Sequence, residues 1–290
     1  MKVVQLNMFG ENETIEKVVN VSSVPQRSPF RYPGGKTWLI PTARKWFIHD
    51  TANKIYIEPF CGGGSIGLTA AIEGYFEKVI LVELDADVAS VWKTILGDDC
   101  DWLIDKILHF DRTTASLNQV LQNAENSIRE RALATLLRNR TNHGGILARG
   151  SGLMKEGEAG KGIFSRWYPR TLADRIRVIH ATRNKIEFIE GNAFDVIREY
   201  SARKDSSFFI DPPYTKAGKR LYNLYEVNNE RLFDEVARIQ GHFLMTYDDA
   251  SEIKILAENH RYEWKTIPMQ TTHLIKKDEL LISDDLNWLD

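Results

Sequence analysis

Cysteine is nearly absent from this 290-residue chain. Cys61 and Cys100 are the only two, and neither belongs to a C-x-x-C pair. A disulfide framework or a thiolate metal centre is therefore not what organises the fold; a reducing cytoplasm and no metal are the expectation. Long apolar runs are also missing. None approaches the roughly 20 residues of a bilayer-spanning helix. The opening residues Met1 to Asn7 lack the apolar stretch and cleavage site of a secretion signal, so no membrane contact is expected. No internal repeat or low-complexity tract points to a solenoid. Nor is there an overall excess of positive charge, since the formal net charge is −2.

What is present is uneven. Between Arg129 and Lys185 there are thirteen basic residues and only four acidic ones, a segment charge of +9 that leaves −11 for the rest of the chain. A local excess of this size marks a face for a polyanion, with a solvated helical face as the simpler alternative.

The apolar pattern divides the chain. Residues 10–28 are polar without a sustained period, and residues 1–28 read as a flexible leader. Residues 54–60 and 79–83 read as buried strands. Each is followed by a helix, at 66–74 and 86–96, which is a βαβα pattern and implies a parallel sheet. From 101 to 185 no buried strand is evident. Helical periodicity covers 102–123, 127–140 and 171–182, with a loop rich in glycine and arginine over 141–170. Sheet signals resume at 186–190, 206–210, 241–247, 261–270 and 279–283, with helices at 193–201, 229–239 and 250–259. The expected organisation is one α/β domain over 29–100 and 186–290, interrupted by a basic, mainly helical insertion over 101–185.

The sharpest local signal is Asp211-Pro212-Pro213-Tyr214, directly after the apolar run ending at Ile210. Ligands gather at the carboxyl ends of strands in open α/β sheets. Two prolines stiffen the turn and remove two N–H donors. A carboxylate, carbonyl oxygens and an aromatic ring remain, a set that suits a planar amine such as the exocyclic amine of a base.

Gly62-Gly63-Gly64 follows the first strand and precedes a helix, and Gly62-x-Gly64-x-x-Gly67 formally fits a dinucleotide fingerprint. Glu83 ends the second strand, where an acid accepts from the ribose hydroxyls of a nucleoside cofactor. These two features leave a nicotinamide-dependent oxidoreductase open, although Glu58-Pro59-Phe60 before the turn is not part of that pattern.

Five blocks in order resemble the motifs of Dam-type DNA adenine N6-methyltransferases: Phe30-Arg31-Tyr32-Pro33-Gly34-Gly35-Lys36, Glu58 through Ser65, Glu83, Gly191-Asn192-Ala193-Phe194 and Asp211 through Tyr214. The resemblance spans roughly residues 29–283. It implies S-adenosylmethionine as methyl donor and a Rossmann-like seven-stranded sheet, mostly parallel with an antiparallel last strand. It also implies a helical target-recognition insertion and double-stranded DNA as partner. By position, Tyr32, Lys36, Phe60, Gly62, Gly64, Glu83, Asn192, Phe194 and Asp211 would hold the cofactor. Asp211, Pro212 and Tyr214 would carry the chemistry on a flipped-out adenine, which the duplex otherwise hides. Tyr32-Pro33 stands where Trp-Ala is frequent, and Glu83 and Asn192 replace common aspartates.

Candidate DNA contacts are Arg138, Arg140, Asn142, His143 and Arg149 in the insertion, with Lys216, Lys219 and Arg220 after the proline turn. Methylation of another amine (N4 of cytosine, an RNA adenine or a protein glutamine) and an inactive DNA- or clamp-binding module are the alternatives. Gln5-Leu6-Asn7-Met8-Phe9 resembles the Gln-Leu-x-Leu-Phe peptide that docks on bacterial sliding clamps, which makes Gln5, Leu6, Met8 and Phe9 candidate clamp contacts.

Overall fold

The computed structural model describes residues 4–6, 12–14, 23–31, 35–49, 54–148, 150–157, 160–213, 227–270 and 276–289. Near the N-terminus β1 (Val4–Leu6) pairs antiparallel with β2 (Asn12–Thr14), a short two-stranded element inside the stretch expected to be a leader.

The main sheet comprises β3 (Ile55–Glu58), β4 (Lys78–Glu83), β5 (Ile186–Glu190), β6 (Ser206–Ile210), β7 (His242–Asp248), β8 (Glu263–Gln270) and β9 (Lys276–Ser283), in the order β5-β4-β3-β6-β7-β9-β8. The pairs from β5 through β7 are parallel. The last strand, β9, runs antiparallel to both neighbours. This is the seven-stranded arrangement expected. The chain winds outward from β3 through β4 to β5, then returns to the other side of β3 with β6. The switch point lies between β3 and β6, where Glu58 and Asp211 leave the sheet.

Strand periodicity assigns the two faces. Tyr56, Val79, Leu81 and Phe209 join one buried cluster, while Ile57, Ile80, Val82, Phe208 and Ile210 join another. Alternate residues point to opposite faces, and both faces are covered, so the strands are apolar throughout. The first cluster is covered by α1 (Ile40–His49), α2 (Ser65–Glu73) and α3 (Ala86–Leu96). The sequence pattern assigned no element to 37–49. There Trp46 and Phe47 of α1 pack against Tyr56 at ring-centroid distances of 6.5 and 5.7 Å.

The insertion contains α4 (Cys100–Leu108), α5 (Thr114–Gln122), α6 (Ile128–Thr141) and α7 (Pro169–Ala181). The continuous helix expected over 102–123 is divided, because Thr113 caps a new N-terminus by accepting from the Ser116 N–H. Ser127 caps α6, and its hydroxyl bonds the Glu130 carboxylate. Leu103, Leu136, Leu137, Leu172 and Ile176 belong to the same cluster as the sheet residues, so the insertion packs as part of that layer. On the opposite face lie α8 (Ala193–Tyr200), α9 (Asn229–Val236) and α10 (Ser251–Asn259). Among the described residues no helix is long and apolar enough to cross a membrane, and no cluster of His, Cys, Asp or Glu could hold a metal.

Candidate active site

Two acidic side chains meet one lysine at the carboxyl edge of the sheet, and a third acid lies close by. Asp211 follows β6, and its Oδ1 accepts from the Thr246 hydroxyl on neighbouring β7 at 2.8 Å. Its Oδ2 lies 2.8 Å from the Lys36 ammonium. Glu279 of β9 approaches the same ammonium at 3.7 Å. Lys36 and Glu279 are buried, at 5% and 2% exposure. The antiparallel strand therefore brings a carboxylate into the site that no motif announced.

Glu58 at the end of β3 completes the set. Its Oε2 accepts from the Tyr56 hydroxyl at 3.0 Å and from the Gly67 N–H at 2.7 Å. Burial pushes its pKa up to about 8, the negative charge of Asp211 adds to the rise, and the two hydrogen bonds and the Lys36 cation oppose it. Gly67 is required here: a Cβ would meet the Glu58 carboxylate and Leu81, each at 2.6 Å. The third glycine of the apparent dinucleotide fingerprint thus makes room for an acid.

The glycine turn is held from two sides. The Gly62 N–H donates to Glu83 Oε2 at 3.1 Å, and the Gly62 carbonyl accepts from the Trp92 indole N–H at 3.0 Å. Gly62 and Gly64 adopt φ of 45° and 59°, in the left-handed region. A Cβ on Gly64 would lie 3.0 Å from the Trp92 ring. The other Glu83 oxygen accepts from the Leu84 and Asp85 N–H groups at 2.8 and 2.9 Å. Burial lifts the Glu83 pKa to about 7 against these donors. The outcome is a fixed carboxylate beside an open backbone turn, a geometry suited to a ribose. Phe60, just ahead of the turn, is partly buried.

Asn192 sits at the end of β5, but its Oδ1 caps α8 by accepting from the Phe194 N–H at 2.9 Å. The oxygen expected to meet the cofactor's adenine already holds a helix end. Phe194 is partly buried, and the Arg231 guanidinium lies 4.6 Å from its ring centroid.

The recognition candidates divide. Arg140 is 4% exposed; it bonds the Pro29 carbonyl at 2.6 Å and the Asn139 side chain. Burial and the like charges of Arg31, Arg175 and Arg166 lower its pKa to about 9. Asn142 is buried, donating to the Ile146 carbonyl at 2.9 Å. The expectation of DNA contacts at Arg140 and Asn142 is therefore corrected: both side chains face the interior. Arg138 is partly exposed and pairs with Asp87 at 3.2 Å. His143 is exposed and lines a polar cavity of about 360 Å³ with Met154, Lys155, Glu156, Gly157 and Arg166. Lys155 and Arg166 were not singled out by the sequence pattern. Tyr32, Arg149, Tyr214, Lys216, Lys219, Arg220, Met8 and Phe9 lie outside the described residues, as do the side chains of Gln5 and Leu6.

Glu58, Trp92, Thr246 and Glu279 are site residues that sequence reasoning missed as such. Glu58 carried a signal, because it opens the block that leads into the glycine turn. Glu279 carried only a weaker one, an acid beside the apolar run Leu280-Leu281-Ile282.

Comparison with curated protein sequences returns no match. Several solved structures are similar at low identity. A proposed RNA methyltransferase from Pyrococcus horikoshii is 10% identical, with 91% of this chain and 92% of that one covered at a TM-score of 0.44. An rRNA methylase from Streptococcus thermophilus is 10% identical, with 86% and 97% covered at 0.34. A spermidine synthase from Thermotoga maritima is 10% identical, with 84% and 58% covered at 0.36. The family model for the D12 class N6 adenine-specific DNA methyltransferases matches residues 32–281, which contain Lys36, the glycine turn, the insertion, Asp211 and Glu279. This chain belongs to the D12 class of N6 adenine-specific DNA methyltransferases.

Proposed function

We propose that Asp211 and the Pro212 carbonyl receive the exocyclic amine of an adenine turned out of duplex DNA, and that Lys36, the glycine turn and Glu83 hold the methyl donor beside it. The single observation that carries this reading is Asp211 itself. It stands at the switch point of the sheet, fixed by Thr246 and Lys36, at the start of a turn with two prolines.

The family's donor, S-adenosylmethionine, supplies an electrophilic methyl group on a positively charged sulfur. The residues fit it. Asp211 and Glu279 face one lysine, a surplus of acidic groups that favours a head group carrying a sulfonium and an ammonium. Gly62 leaves backbone open to a ligand, and Glu83 presents fixed oxygens.

The amine lone pair is conjugated with the adenine ring and attacks poorly. Asp211 and the Pro212 carbonyl accept from the two amine hydrogens. They favour the geometry in which the lone pair leaves conjugation and stabilise the positive charge that develops on N6. The amine becomes acidic only once it carries the methyl group, so its proton departs after transfer and no strong base is needed beforehand. Fixed placement of the amine in line with the methyl group supplies much of the remaining acceleration. Tyr214 is the proposed stacking face for the flipped base.

DNA is held in this reading by the surface around His143, Lys155 and Arg166, with Arg149, Lys216, Lys219 and Arg220 as further contacts proposed from the sequence. The protein works where its DNA is, in the cytoplasm. Docking of Gln5, Leu6, Met8 and Phe9 on a sliding clamp rests on the peptide's sequence. Titration of residues 1–12 as a peptide against purified clamp tests it, and no binding at high micromolar peptide removes it. For the methyltransferase reading, purified protein is incubated with unmethylated duplex and S-adenosylmethionine, and nucleosides are then separated. N6-methyladenine is expected; N4-methylcytosine in its place would overturn the amine assignment.

A further inference from the structure

Asn139 lies on α6 in the insertion, far in sequence from the cofactor blocks, and is fully buried. Its side-chain amide makes four hydrogen bonds. Oδ1 accepts from the Arg31 N–H at 2.8 Å and from the Arg140 guanidinium, while Nδ2 donates to the Arg31 carbonyl at 3.0 Å and the Gly145 carbonyl at 2.7 Å. An amide has two donor hydrogens and one acceptor oxygen with two lone pairs, so its capacity is filled. With Arg31 it pairs as one strand pairs with the next, through both N–H and C=O.

The stretch it grips is held elsewhere too. Arg27 bonds Glu73 of α2 at 2.7 Å, Arg175 of α7 bonds the Ser28 carbonyl at 3.2 Å, and Arg140 bonds the Pro29 carbonyl at 2.6 Å. Gly145 fits against the same point from the other side: its φ is +76°, and a Cβ there would stand 2.6 Å from the Arg31 carbonyl oxygen. Arg31 is separated by four residues from Lys36, the cation that meets Asp211. Extended chain covers at most about 3.6 Å per residue, so fixing Arg31 restricts where Lys36 can stand. On the other side, Gly145 ends the turn that begins at exposed His143.

We infer that Asn139 is a positioning residue for the cofactor site: it ties the DNA-facing turn His143–Gly145 to the segment that delivers Lys36, so that occupation of one site strengthens the other. The inference rests on the proposed roles of Lys36 in cofactor binding and of His143 in the DNA-binding surface. A buried amide with all its bonds made gives the joint one arrangement, and such a joint transmits a shift at either end. Coupling of this kind is reciprocal, so duplex DNA raises affinity for the donor by the same factor that the donor raises affinity for DNA.

The test uses the full chain and calorimetric titration with S-adenosylmethionine, with and without a duplex. Asn139→Asp keeps the acceptor for the Arg31 N–H and loses both donated bonds. Gly145→Ala crowds the Arg31 carbonyl at 2.6 Å and the Asn139 backbone at 3.1 Å while leaving the chemistry of the Asn139 amide unchanged. Each is expected to weaken donor binding about tenfold, the effect of losing one or two hydrogen bonds, and to reduce the DNA-dependent gain in affinity. A merely structural residue would lower the melting temperature and leave that gain intact. Because Asn139 is buried, hydrogen exchange of the unsubstituted protein provides a second readout: the donor should slow exchange in 29–36 and in 139–145 together. Protection of 29–36 alone, or folded variants with unchanged affinity and gain, would overturn the inference. Lys36→Ala separates the two readings. If it binds the donor normally, the cofactor assignment fails; if it does not while the joint variants do, only the coupling fails.

Discussion

The Lys36 ammonium lies 2.8 Å from Asp211 Oδ2, so the cation assigned to the cofactor and the carboxylate assigned to the substrate amine form one ion pair. Glu279 extends it at 3.7 Å. Lys36→Ala leaves two carboxylates without their cation. Breaking a well-buried pair costs about 3–5 kcal/mol. Asp211 keeps some solvent contact, with 22% of its side chain exposed, so a loss of about 2–3 kcal/mol is expected by urea denaturation. Lys36→Arg should recover most of the stability, and donor binding only in part, because a planar guanidinium does not replace a compact ammonium.

The indole of Trp92 should act on the cofactor without touching the reaction. Trp92→Phe removes the N–H that holds the Gly62 carbonyl and retains an aromatic ring near Gly64. One lost hydrogen bond is worth about 1 kcal/mol. The expected result is a fivefold rise in KM for S-adenosylmethionine with kcat little changed, measured at saturating DNA. An equal fall in kcat would instead assign Trp92 to the chemical step.

Much of this architecture was legible because the apolar patterns were strong. Phe208, Phe209 and Ile210 are fully buried, and a run of that kind before Asp211 has no other place than a central strand. The glycine turn and Glu83 were found for the same reason: each follows a buried strand. What escaped was contact between distant segments. Nothing in the sequence around Arg140 tells that its partner is the Pro29 carbonyl, and a basic residue on a basic helix reads as a surface group. Asn142 reads as a DNA contact, whereas its amide satisfies a turn, and the Asn192 oxygen expected to meet the adenine also caps a helix. Polar residues in a motif serve backbone groups as readily as ligands, and spacing alone does not separate the two.

The corrected recognition surface gives a prediction with two directions. Arg140→Met should lower the melting temperature by several degrees, because it leaves the Pro29 carbonyl and the Asn139 oxygen short of a donor. His143→Ala and Lys155→Ala should leave the melting temperature nearly unchanged, and these two and Arg166→Ala should each weaken duplex binding. If Lys155 and Arg166 meet phosphates, each loss should also reduce the salt slope of binding by about one. Filter binding at several salt concentrations checks this, and three variants with unaltered affinity would contradict it.

Glu58 should make stability depend on pH. Its folded pKa of about 8 lies above the ordinary 4.5, so between those values the folded chain holds a proton that the unfolded chain has lost. Stability therefore falls as pH rises through that window and levels off above about 8. Glu58→Gln keeps an oxygen for the Gly67 N–H and the Tyr56 hydroxyl and removes the titration. Its stability should change less between pH 5 and 8 than that of the unsubstituted protein, by a few kcal/mol at most. Parallel curves would show that Glu58 titrates normally.

The central claim is that Asp211 receives the adenine amine. Its most direct measurement is single-turnover methylation of an unmethylated duplex by Asp211→Ala, with S-adenosylmethionine high enough to saturate the variant and saturation verified by calorimetry. The account predicts a rate of N6-methyladenine formation at least a hundredfold below that of the unsubstituted enzyme, since a main acceptor for the developing charge is gone. A saturated, folded Asp211→Ala enzyme that methylates adenine at a near-normal rate would contradict it.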